Sequence, residues 1–257
     1  MDLSLKDSVV IVSGGSQGIG RGIAKAFAVE GAKVAIAARG EDKLKATVDE
    51  LKALGADAMA VKTDVANLEA TDNLAKKVVE QWGKIDVIVH SAALFSIQRF
   101  MDTPVESWSQ VINVSQYGAM NLTRSVLPYM IKSKKGRIIY IASDAGRVGD
   151  PFQPVYAAAK GAVMAFGKSI AQDVGRYAIT VNTICPALTV TEENLALLQS
   201  QYGYGDPEKE KKLVAAYPLR KIGTVEEVAS MVLFVASNKA SHITGQVLSV
   251  HGGYCMV

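Results

Sequence analysis

Short apolar runs alternate with longer stretches of helical spacing along the chain. Residues 9–12, 34–38, 58–61, 85–89, 137–142, 179–184 and 246–250 are runs rich in valine, isoleucine and alanine. Most are continuous rather than alternating, the pattern of strands covered on both faces. Between them, apolar residues recur at helical spacing over 18–30, 41–54, 67–82, 108–133, 155–176 and 224–237. Pro128 predicts a break or bend in the long helix 108–133. The strand–helix alternation implies a parallel sheet with right-handed crossovers and helices on both faces. No linker, low-complexity segment or long repeat divides the chain, so residues 1–257 are expected to form one domain. The irregular stretch 187–218 is expected to be a lid insertion of two short helices joined by a turn within 199–207.

Composition narrows the class. The chain has 257 residues, 49% apolar and 21% charged, with a formal charge of +3. That suits a globular protein with a sizeable core and excludes disorder. The charge is too balanced for a nucleic-acid binder, so none is expected as a partner. The only two cysteines, Cys185 and Cys255, cannot build a disulfide framework and have no partners at metal-ligand spacing, so no metal is expected. The first residues are charged without a long apolar stretch, and no run approaches the ~18 residues of a membrane span. A cytoplasmic protein without membrane contact is the expectation.

A glycine-rich loop, Ser13 to Gly20, separates the first strand from the first helix. Glycine permits sharp turns and close approach to a phosphate, and the following helix offers unpaired N–H groups and a positive dipole end. In this context the loop reads as a dinucleotide site, with Gly14, Ser16, Gln17, Gly18 and Ile19 as candidate contacts. A mononucleotide P-loop requires Gly-Lys-Ser/Thr, whereas Gly20 is followed by Arg21 and Gly22. At the end of the second strand an acid would bind the ribose of NAD, and an arginine would accommodate the 2′-phosphate of NADP. Ala38 and Arg39 stand there, so NADP(H) is the expected preference, with NAD(H) as the alternative.

Tyr156 and Lys160 are four residues apart on a predicted helix and share one face. A free phenol titrates near ~10, and a neighbouring ammonium favours its ionised form. Such a pair can exchange a proton with an alcohol or carbonyl while a nicotinamide exchanges a hydride. Ser143 follows the fifth strand, and strand C-terminal ends are where open α/β sheets bind ligands.

Together these residues resemble the short-chain dehydrogenase/reductase family over nearly the whole chain. The resemblance is carried by the glycine loop, Asp64-Val65, Ile112-Asn113-Val114, Ser143, Tyr156 with Lys160, Asn182 with Pro186, and residues 243–246. It implies a Rossmann-type doubly wound parallel sheet of seven strands, usually within a homotetramer. It implies that Tyr156 is the general acid/base and that Lys160 lowers its pKa and holds the nicotinamide ribose. Ser143 would bind the substrate oxygen, and Asn113 a relay water. Asp64 and Val65 would meet the adenine, Ala92 would lie on the cofactor, and Thr189 and Thr191 would contact the carboxamide. The sequence departs from the family at His90, Ala93, Ala187 and His251. His90 is expected to be either a bonded core histidine or a modifier of cofactor contacts.

The substrate is less legible. Residues 203–223 resemble members acting on hydroxyacyl thioesters, including 3-oxoacyl-carrier-protein reductases and cyclic hydroxyacyl-CoA dehydrogenases. Lys209, Lys211, Lys212, Arg220 and Lys221 are either contacts for CoA or a carrier protein, or a solvated helix face interleaved with Glu208 and Glu210. Leu94, Phe95, Val148, Phe152 and Leu188 suggest an apolar pocket. The expected activity interconverts a secondary alcohol and a ketone on an apolar, CoA- or carrier-protein-linked small molecule. The alternatives are a catalytically silent NADP-binding regulator, a sugar or cyclic alcohol dehydrogenase, and a flavin-dependent enzyme.

Overall fold

Residues of β1 (Val9–Ser13) alternate between the two faces of the sheet, and both faces are buried. The structure is a computed structural model that describes residues 2–95 and 97–257. From β1 the chain runs through α1 (Gly18–Val29), β2 (Lys33–Ala38), α2 (Glu41–Ala53), β3 (Ala58–Lys62) and α3 (Leu68–Trp82) to β4 (Val87–His90). It continues through α4 (Val105–Ile112), a π-helical turn (Asn113–Tyr117), α5 (Gly118–Ser133), β5 (Gly136–Ile141), α6 (Ala145–Val148) and α7 (Pro154–Val174). The last part comprises β6 (Ile179–Pro186), β7 (Thr189–Val190), α8 (Glu192–Tyr202), α9 (Pro207–Leu213), β8 (Gly223–Thr224), α10 (Val225–Ala236) and β9 (Val247–Val250).

The main sheet has seven parallel strands in the order β3-β2-β1-β4-β5-β6-β9. The chain first builds outward from β1 to β3, then returns to place β4 on the other side of β1. That reversal opens a crevice at the C-terminal ends of β1 and β4, the switch point where open α/β sheets bind ligands.

Two cores cover the sheet. Val10, Val12, Val34 and Ile36 pack with Ile23 and Phe27 of α1 and Val228 and Val232 of α10. Val9, Ile11, Ile88 and Ile138 pack on the opposite face with Leu74 of α3, Leu122 of α5 and Val163 of α7. Each fully buried side chain of this size contributes about 1.5–3 kcal/mol relative to exposure. Burial is incomplete at both edges: Ala60 and Lys62 of β3 are exposed, and β9 is only half-buried.

The predicted helix 108–133 breaks elsewhere than expected. Pro128 lies within regular α5, and the irregularity is the π turn at Asn113–Tyr117. Pro128 and Arg124, whose carbonyl loses its helical donor to the proline, are both exposed. Residues 187–218 contain α8, a turn at 203–206 and α9, anchored by β7 pairing with β8. Val214, Tyr217 and Ile222 form a small separate core beneath them. Among the described residues, no helix is long and apolar enough to cross a membrane, and no cluster of three or more His, Cys, Asp or Glu is placed to hold a metal ion.

Candidate active site

The glycine loop is shaped by backbone contact. Gly14 has φ +70°, and a Cβ there would lie 2.7 Å from the Ala92 amide nitrogen, so a side chain would push the β1 and β4 loops apart. Gly18 also has positive φ (+53°), but a Cβ there would meet nothing closer than 3.6 Å. The atoms it would touch, Glu193 Oε2 at 3.6 Å and Thr191 Cγ2 at 3.9 Å, belong to the start of α8. Gln17, the N-cap of α1, gives no side-chain cap, and no acid occupies the first turn. A carboxylate arrives from far along the chain instead: the Gly18 N–H donates to both oxygens of Glu193 at 3.1 Å. The loop thus accepts an anion at the helix N-terminus, as a dinucleotide pyrophosphate requires.

His90 ends β4 inside the crevice and is buried. Burial and the nearby Lys160 charge push its pKa down to about 3, so the ring is neutral. Its Nε2 lies 3.1 Å from the Ser115 carbonyl oxygen, which only accepts, so Nε2 carries the proton. Nδ1 then accepts from the Ser13 hydroxyl at 2.8 Å. Of the two expectations for His90, the structure gives a bonded core histidine. It ties the start of the glycine loop to the π turn, whose first residue is Asn113. Gly118 leaves it room, since a Cβ there would sit 2.9 Å from His90 Cε1.

Tyr156 and Lys160 lie in the first two turns of α7, facing the end of β5. Lys160 is buried, and its ammonium donates to the Ile141 carbonyl at 2.6 Å and sits 5.5 Å from the centre of the Tyr156 ring. Burial pushes the Lys160 pKa down to about 8. Ser143 follows β5, its Oγ accepting from the Ala145 N–H at 3.2 Å and acting on the Tyr156 phenol. The expected acidification of Tyr156 is not what these side chains produce. Burial pushes the phenol up to about 12, against a smaller lowering by Ser143, so Tyr156 is protonated at neutral pH.

The other predicted residues are placed as follows. Asn113 is exposed on the π turn, which packs against α7. Ala92 lies against Gly14, Val65 is buried and accepts from Asn121 Nδ2 at 2.9 Å, and Asp64 is exposed. Thr189 is buried in β7, and Thr191 caps α8 within 4 Å of the position a Gly18 Cβ would take. Ile19 packs on the first core, the Ser16 carbonyl accepts from Thr47, and Gln17 accepts from Lys43 at 2.7 Å. Arg39 is exposed after β2, with no ion pair among the described residues. Phe95 is 62% exposed, with its ring 6.0 Å from that of Tyr156, and Phe152 and Val148 are exposed nearby in sequence. Lys209 and Lys221 pair with Asp206 and Glu227, respectively, and Arg220 donates to the Ala215 carbonyl.

Sequence reasoning missed two features. The acids of α8, Glu192 and Glu193, reach Arg21 and Gly18 of α1. The only local signal was a pair of acids just after a capping threonine. Lys160 spends a hydrogen bond on the Ile141 carbonyl, a contact that no side-chain pattern announces.

Comparison with known proteins agrees with this architecture. A family profile described as "Enoyl-(Acyl carrier protein) reductase" matches residues 14–255. The chain is 35% identical to 3-oxoacyl-acyl-carrier-protein reductase FabG of Staphylococcus aureus (strain N315), over 96% of this chain and 97% of that one. It is 34% identical to the protein of the same name from Escherichia coli (strain K12), over 99% and 100%. Among solved structures it resembles Cj0485 dehydrogenase, with a TM-score of 0.91, 33% identity and coverage of 100% and 97%. It also resembles a short-chain type dehydrogenase/reductase from Mycobacterium ulcerans, with a TM-score of 0.90, 30% identity and coverage of 97% and 90%.

Proposed function

The chain belongs to the short-chain dehydrogenase/reductase family, and on that premise we propose that it is an NADP(H)-preferring oxidoreductase that reduces the ketone of a 3-oxoacyl thioester or a related apolar ketone. The observation that carries this reading is the Lys160 ammonium, buried 5.5 Å from the Tyr156 ring beside Ser143. A bound nicotinamide supplies the hydride. Ser143 holds the substrate oxygen against the Tyr156 hydroxyl. Tyr156, protonated at neutral pH, gives its proton to that oxygen as negative charge develops on it. Lys160 stabilises the phenolate left behind, and Asn113 returns a proton through solvent.

Several observations support the finer parts. Arg39, free of ion pairs among the described residues, suits a 2′-phosphate, which favours NADP(H) over NAD(H). Gly14, Ser16, Gln17, Gly18 and Ile19 with Thr191 hold the pyrophosphate end, while Asp64, Val65 and Ala92 line the adenine side and Thr189 the nicotinamide side. Phe95, exposed beside the Tyr156 ring, gives an apolar surface that suits an acyl chain rather than a sugar. The relatives named for acyl-carrier-protein substrates support a thioester-linked skeleton. The homotetramer rests on family resemblance; apolar side chains along a groove over α5 and α7, Met120, Leu127, Ile131 and Phe166, suit contact with another copy of the chain. The two buried free thiols suit a reducing, cytoplasmic setting.

The test is a substrate panel followed by nicotinamide absorbance, spanning 3-oxoacyl thioesters, cyclic ketones, steroids and sugars. Oxidation of NADPH by 3-oxoacyl thioesters with the highest kcat/KM is expected. Turnover confined to sugars, or none across the panel, would overturn the reading.

A further inference from the structure

The carboxylate of Glu193 sits where the phosphate loop is built to receive an anion. α1 begins without a side-chain cap or a first-turn acid. Its unpaired N–H groups and dipole leave partial positive charge at that end. Both oxygens of Glu193 lie 3.1 Å from the Gly18 nitrogen. One helical position earlier, Glu192 pairs with Arg21 of the same helix at 2.6 Å, and Arg21 is itself held by Glu50 at 2.5 Å. Thr191 closes the group by capping α8 close to Gly18. The start of α8 is thus latched onto the start of α1 by two acids, although the residues are separated by more than 170 positions in the chain.

A phosphate and a carboxylate cannot share one N–H at hydrogen-bond distance without like-charge repulsion. We propose that Glu193 is an intramolecular competitor for the pyrophosphate of the dinucleotide, and so sets the protein's affinity for its cofactor. Cofactor binding displaces the Glu193 carboxylate from Gly18, and α8 moves with it. Lid position and cofactor occupancy are then two readings of one equilibrium, linked by a contact that only one of the two anions can make. This inference rests on the reading that the glycine loop takes a dinucleotide.

The test compares wild type with Glu193→Gln and Glu193→Asp. Gln removes the charge; Asp keeps it but is one methylene too short to reach Gly18. Affinity for NADPH, followed by quenching of protein fluorescence, is expected to rise about three- to five-fold in both variants, the scale of an exposed charged contact. Amide hydrogen exchange in the segment containing Gly18 is expected to speed up without nucleotide in Glu193→Asp, and less in Glu193→Gln, whose amide oxygen still accepts from Gly18. With saturating NADPH it should match wild type. Inorganic pyrophosphate alone should show the same order of affinities. Unchanged affinity and exchange in both variants would overturn the proposal while leaving the dinucleotide reading intact. A gain in Gln without one in Asp would also overturn it, because long-range charge would then explain the effect. If wild type bound neither NADPH nor NADH, the functional reading itself would fall.

Discussion

The Lys160 ammonium lies 5.5 Å from the centre of the Tyr156 ring, and its hydrogen bond to the Ile141 carbonyl fixes it there at 2.6 Å. One turn of α7 therefore brings the cation to the phenol, and the end of β5 holds it in place. The arrangement comes at a cost to folding, because the charge is buried against a single carbonyl.

That cost makes stability depend on pH. The folded Lys160 pKa is pushed from 10.5 down to about 8, so the unfolded chain binds more protons between those values. Stability from this group is lowest below about pH 8 and rises as pH climbs toward 10.5. Lys160→Met removes that contribution. Urea midpoints at pH 7 and pH 9 are expected to show the variant gaining on wild type at pH 7, with a smaller gain at pH 9. An advantage that does not change with pH would contradict the assignment. Turnover of Lys160→Met is expected to fall at least ~100-fold at both pH values.

His90 carries a dependence of the same sign at lower pH. Its folded pKa of about 3 lies below the ordinary 6.5, so stability is full above 6.5 and declines as pH falls toward 3. His90→Phe leaves the Ser13 hydroxyl and the Ser115 carbonyl without partners, at about 1–3 kcal/mol for each buried group. Chemical denaturation at pH 7 should show that loss. Between pH 6.5 and 4 the variant should decline less steeply than wild type.

Gly14 tolerates no side chain. Its φ is +70°, and a Cβ would lie 2.7 Å from the Ala92 nitrogen. Gly14→Ala should cost about 1–3 kcal/mol of stability and weaken NADPH binding at least ~10-fold, measured by fluorescence titration. An unchanged Kd would show that the loop does not approach the cofactor closely.

Arg39 decides between the two cofactors. It is exposed and makes no ion pair among the described residues. Arg39→Ala should lower kcat/KM for NADPH about 10- to 100-fold and leave that for NADH within about two-fold. A tenfold preference of wild type for NADH would contradict the assignment.

Much of this was legible in the chain. The unbroken apolar runs gave all seven strands of the main sheet, because a sheet covered on both faces needs no alternation. The glycine loop and the spacing from Tyr156 to Lys160 are local patterns, and the structure brings both to the C-terminal edge of the sheet. What escaped depended on partners distant in sequence. The break at Asn113–Tyr117 was assigned to Pro128, since proline is the visible helix breaker, while the π turn is tied to His90 on another strand. The phenol was expected to be acidified by Lys160, because proximity shows in spacing and burial does not. The contact of Glu193 with Gly18 joins two helix ends that only the finished topology brings together.

Tyr156→Phe tests the central claim most directly, because it removes one oxygen and keeps the ring that Lys160 and Phe95 approach. Single-turnover reduction of a 3-oxoacyl thioester by NADPH should slow by about 10²–10⁴-fold, with the Kd for NADPH within about two-fold of wild type. A variant that kept its rate within tenfold of wild type while binding cofactor normally would contradict the assignment of the proton transfer to this phenol.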